Sequence, residues 1–154
     1  MVLYAIVIHR LTEEGMSTVQ KSLRMPEPLV QAITEAADAT GRDFTTLANE
    51  LLAEAVAMRR CPGIAFMDGA TGRRAILAGT GLDVWEVVYV YEHLNRNFAE
   101  LQRAFGHLTE LQLRAALSYA VLYPEDIRRR IAANDAWTPE RLAQELPIFV
   151  PPRT

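Results

Sequence analysis

A short alternating segment, Gln20-Lys21-Ser22-Leu23-Arg24-Met25-Pro26, runs directly into an amphipathic helical pattern that stops at Gly41. A strand of this length cannot bury its inner face alone. It needs a partner strand, most simply the same segment of a second chain. Thr18, Gln20, Ser22 and Arg24 share one strand face, and Val19, Leu23 and Met25 share the other. Lys21 interrupts the apolar face and can snorkel from a ribbon edge. Two such strands make a ribbon that fits the DNA major groove, where Gln pairs with adenine and Arg with guanine. The alternative is a solvated edge strand on a small helical domain.

The chain has 154 residues, half of them hydrophobic and 23% charged, a globular composition of one domain or two small ones. Cys61 stands alone, which excludes an intrachain disulfide framework and fits a reducing, cytoplasmic setting. Val2 to Ile8 is apolar but lacks preceding basic residues and leads into Arg10, Glu13 and Glu14, a poor signal peptide. Residues 1–15 have two readings: an extra strand, or an extension before a start at Met16. The net charge of −3 argues against broad attraction to nucleic acid. DNA binding would rest on local arginines doubled by a dimer: Arg24, Arg42, Arg59-Arg60, Arg73-Arg74 and Arg114.

The expected fold is mainly α with short β. A first unit spans 16–60. Its first helix covers roughly Glu27 to Thr40, with Leu29, Ile33, Ala36 and Ala37 on one face. The second covers about Thr46 to Arg60, with Leu47, Leu51, Leu52, Ala55 and Val56 as its apolar stripe and Asp43 or Thr45 as cap. Cys61-Pro62-Gly63 marks the boundary. The second unit, 61–147, opens with strands at Ile64–Met67 and Arg73–Ala78 around a loop rich in turn formers. Asp83 caps a helix carrying Val84, Val87, Val88 and Tyr91. Phe98, Leu101 and Phe105 mark the next. Thr109 and Gln112 form a capping box that opens a helix to about Tyr123. Pro124 starts another, to about Asn134. Thr138-Pro139-Glu140 opens a last helix before Pro147, and 148–154 form an extended tail.

The order strand, Pro, helix, Gly turn, helix resembles the ribbon-helix-helix repressors of the Arc and MetJ type. Leu23-Arg24-Met25-Pro26, the turn Gly41-Arg42-Asp43-Phe44-Thr45 and the Leu47/Leu51/Leu52 stripe carry the resemblance over about residues 17–60. It implies base reading by Gln20, Ser22 and Arg24, and a phosphate at Thr45 and Thr46. Free amides at a helix start supply the physical reason. Residues 63–123 are similar to the winged-helix-like family called domain of unknown function 433. Gly72 to Trp85, then His107-Leu108-Thr109 and Leu113 to Ala120, carry that likeness. It implies association with VapB-type antitoxins of type II toxin–antitoxin pairs, whose partners are PIN-like nucleases. Members usually have Arg where this chain has Gly81, so no role is carried over there.

Read physically, the second unit is a hairpin and a helix-turn-helix-like core. Arg73 and Arg74 would touch phosphate from a wing, and Gln112 and Arg114 would lie near the start of a recognition helix. The alternative is a trihelical domain that only dimerises or binds protein. Ile148, Phe149 and Val150 form an apolar tail suited to a partner protein. No spacing of residues points to catalysis, a cofactor or a metal: His93 and His107 suit helix ends, Arg128-Arg129-Arg130 a solvated helix face, and the tryptophans core or interface. Three functions remain open: a DNA-binding, autoregulating antitoxin acting as a homodimer or higher oligomer at the nucleoid; a stand-alone regulator or architectural protein; and an interaction module that binds no DNA.

Overall fold

The structure is a computed structural model that describes residues 19, 21–69, 72–138 and 141. It is mainly helical, with six helices and one antiparallel hairpin among the described residues. Residues 1–15, Gln20 and the tail 148–154 lie outside them. The chain forms two compact units, which part between Phe44 and Thr45.

In the first unit, helix α1 spans Glu27–Thr40, as its pattern predicts. Pro26 precedes it in extended geometry, and its carbonyl accepts the N–H groups of Leu29 and Val30 at 3.0 and 3.1 Å. Gly41 ends it with φ 64, a left-handed conformation open to glycine. The N–H of Gly41 then donates to Asp38 and that of Arg42 to Ala37, satisfying the last carbonyls. Ile33 and Ala37 are buried, whereas Leu29 and Ala36 of the expected face are exposed.

Residues 21–26 belong to no strand. The physical reason is the one that makes the segment informative: a ribbon needs a second strand, and none is offered within the described chain. Leu23 is left 68% exposed.

Helix α2 covers Phe44–Arg60 and starts two residues before the expected Thr46, so Asp43 directly precedes it. Of its predicted stripe only Leu47 is buried; Leu51, Leu52 and Val56 face solvent in the single chain. Its inward side instead carries Glu54 and Ala57. Ala57 and Cys61 join the core of the second unit, so the boundary expected at Cys61 lies inside that unit.

Strands β1 (Ile64–Gly69) and β2 (Gly72–Leu77) pair antiparallel from Ile64↔Leu77 to Gly69↔Gly72. The hairpin is therefore longer than predicted, and Asp68, Gly69 and Gly72 lie within strands. The chain then reverses at Gly79-Thr80-Gly81. The Thr80 hydroxyl donates to the Leu77 carbonyl at 2.9 Å and accepts the Leu82 N–H at 3.1 Å. Both flanking glycines have positive φ, 77 and 71, which explains their place there.

Helices α3 (Val84–His93), α4 (Phe98–Ala104), α5 (Glu110–Leu122) and α6 (Pro124–Asp135) follow. α3 packs against α4, α5, α6 and β2, and α5 also packs on both strands. Leu77, Val84, Val87, Leu101, Leu113 and Ala116 are fully buried at that junction. The predicted capping box is present: the Gln112 N–H donates to Thr109 Oγ1 at 3.3 Å, and Gln112 Oε1 accepts the Thr109 N–H at 2.9 Å. Among the described residues, no helix is long and apolar enough to cross a membrane.

Candidate functional site

The first candidate surface is the segment before α1. Ser22 and Arg24 are exposed there. Thr45 and Thr46 are exposed in the first turn of α2. Gln20 lies outside the described residues, and so do Ile148, Phe149 and Val150. The two strand-segment residues and the two threonines belong to different compact units.

The hairpin differs from its expected use as a wing. Consecutive strand residues point to opposite faces, so Arg73 and Arg74 cannot form one patch. Arg73 makes a bidentate pair with Glu54 of α2: Nε to Oε1 at 2.7 Å and Nη2 to Oε2 at 2.9 Å. Asp68, its cross-strand neighbour, adds a contact at 3.3 Å. The Glu54 hydrogen bonds hold the Arg73 guanidinium above its ordinary pKa. Arg74 donates to Asp83 Oδ1 at 2.5 Å. Asp83 is buried, and its other oxygen accepts the Trp85 indole N–H at 3.0 Å. Its own N–H donates to Glu86 Oε2 at 3.1 Å. Asp83 thus starts α3 and anchors the hairpin at once. Both arginines expected to reach phosphate are neutralised inside the unit.

The second expected reader, α5, is similar. The Gln112 side chain is taken up by the capping box. Arg114 pairs with Glu110 at 2.7 Å and lies over the Phe98 ring, 4.6 Å from its centroid. Leu111, at the helix start, is exposed.

Arg128-Arg129-Arg130 is not uniformly the solvated face its composition suggests. Arg128 and Arg129 are exposed and pair with Glu125 and Asp126. Arg130 is only 13% exposed, bonds the Arg73 carbonyl and reaches Asp126 at 3.3 Å. The signal was in the spacing: Arg130 follows the buried Ile127 by three residues, which puts both on one helix face. Asp126 also accepts the Tyr119 hydroxyl at 3.0 Å. Burial, reinforced by the Asp126 charge, raises the Tyr119 pKa.

Cys61 is in the core, not in a linker, and burial raises its thiol pKa, which opposes reactivity. His93 ends α3 with Nδ1 at 2.8 Å from the Tyr89 carbonyl. His107 packs against Phe105 in the turn before α5.

Comparison of this chain with protein-family models, with curated proteins and with solved structures finds no match.

Proposed function

We propose that the chain is a sequence-specific regulator that binds double-stranded DNA as a homodimer, with the segment before α1 as the reading element. The observation that carries this reading is apolar exposure within each of the two units. Leu23 is 68% exposed and Leu52 of α2 is 54% exposed, and Val19, Leu51 and Val56 are exposed with them. Apolar residues at strand and helix spacing, left in water, favour association. Pairing of two segments would cover Leu23 and turn Gln20, Ser22 and Arg24 outward together. Thr45 and Thr46 would take a phosphate.

Arg73, Arg74, Gln112 and Arg114 carry less of this reading, because each already has an internal partner. An autoregulating antitoxin with a PIN-like toxin as partner is the biological setting that the resemblance suggests, with Ile148, Phe149 and Val150 as the partner segment. One observation favours the alternative of an interaction module without DNA: in a chain of net charge −3, these three arginines are held by carboxylates. A gel shift with duplex DNA across salt concentrations separates the two. Binding that weakens steeply with salt supports the regulator; no binding at low salt supports the interaction module.

A further inference from the structure

An open cleft of about 490 Å³ lies in the second unit, between β2, the start of α3 and the end of α6. Arg73, Arg129, Arg130, Trp85, Trp137 and Asn134 are among its lining residues. The volume lies within the range of small-molecule sites. The chain has two tryptophans, and both line this cleft. The carboxylates that hold the arginines are largely covered: the side chains of Glu54 and Asp126 are 15% and 18% exposed. Of the three arginines Arg129 stands outermost, 73% exposed, and Arg130 is the most covered, at 13%. Asp83 also lines the cleft, but it is buried and its two oxygens are taken up by Arg74 and the Trp85 indole, so the exposed groups here are the Arg129 guanidinium and the Trp137 indole.

That pairing of groups has a chemical meaning. Indole faces stack on planar rings, and aromatic stacking tolerates different bases. A guanidinium gives an anionic oxygen charge-assisted hydrogen bonds, and it is better oriented when a carboxylate holds its far side. Arg129 has one such tether, Nη2 to Asp126 Oδ1 at 2.6 Å. Arg141 sets a further guanidinium on the Trp137 ring, 4.6 Å from its centroid. Asn134 adds an amide that can both donate and accept to a ring edge.

We infer that this cleft binds a small planar anion of the nucleotide class, an aromatic base carrying a phosphate. The base stacks on the tryptophans, and the phosphate meets Arg129, the most exposed of the cleft's arginines. This site does not depend on the DNA-reading segment.

Because both indoles line the cleft, intrinsic tryptophan fluorescence reports its occupancy. The full chain is titrated with adenosine 5′-monophosphate, with adenosine and with inorganic phosphate, exciting at the red edge of the indole band where the base does not absorb. The nucleotide should quench saturably with a dissociation constant on the order of 1 mM or tighter. Adenosine and phosphate alone should each bind roughly tenfold more weakly. Arg129→Ala should weaken the nucleotide about tenfold and leave adenosine unchanged. Trp137→Leu should weaken both, read from the remaining Trp85 and by calorimetry. Arg129 and Trp137 are exposed, so circular dichroism should show both variants folded. Absence of saturable quenching by the nucleotide, or equal affinity in Arg129→Ala and parent, overturns the inference.

Discussion

Arg73 and Glu54 face each other through two hydrogen bonds of 2.7 and 2.9 Å, joining β2 to α2 across nineteen residues of chain. The bond explains why α2 turns a glutamate inward. Glu54 is the more buried partner, and without Arg73 its charge would stand uncompensated. Glu54→Ala should therefore destabilise the second unit by about 1–3 kcal/mol, read as a lower denaturant midpoint. An unchanged midpoint would make the pair a surface ornament.

Asp83 should be more costly to remove. It starts α3, holds Arg74 and accepts from Trp85. Asp83→Ala leaves a half-buried guanidinium and an indole N–H without their partner, a loss of about 2–4 kcal/mol. Arg74→Ala, measured in a salt-dependent DNA titration, should leave the salt slope unchanged while lowering stability. A shallower slope would instead place Arg74 on phosphate.

Association is the third expectation. Leu52→Glu changes a side chain that already faces water in the single chain, so helical content should hold. If a second copy covers that face, sedimentation should show a halved mass, and DNA affinity should fall with it. A mass equal to the parent's would remove α2 from the interface. Arg24→Ala should keep the mass and lose about 1–3 kcal/mol of specific binding.

Alkaline stability should follow Tyr119. Its pKa is raised from an ordinary 10.0 in the folded chain by burial and by Asp126. The unfolded tyrosine then loses its proton first, so stability contributed below pH 10.0 is lost progressively as pH rises above it. Tyr119→Phe should lower stability at neutral pH and flatten this alkaline slope in denaturant titrations. An equally steep slope in the variant would assign the effect elsewhere.

The turn after α3 offers a gain. Asn95 and Arg96 both have positive φ, 51 and 60. Asparagine tolerates that conformation, but arginine pays in steric strain. Arg96→Gly should raise stability by up to ~1 kcal/mol despite losing the exposed pair with Glu92. A lower melting temperature would show that the pair outweighs the strain.

Local signals were legible in the sequence wherever the physics is local. Pro26 and Gly41 bracket α1 as predicted, because one fixes an extended start and the other accepts a left-handed stop. Thr109 and Gln112 announce α5 three residues apart, and Pro124 opens α6. The turn formers around residues 68–81 marked the hairpin and the reversal after it. Only the tertiary structure decided what each charge meets. Arg73 and Arg74 read alike in sequence, but the strand sends them to opposite faces and to Glu54 and Asp83, partners at different sequence distances. The α2 stripe is unmistakable as apolar, yet periodicity cannot say whether its cover is the same chain or another. Cys61 looked like linker beside Pro62 and Gly63, but Ala57 and Ile64 carry it into the core. Trp85 and Trp137 stand 52 residues apart in sequence and share one cleft, a convergence that depends on how α6 packs on α3.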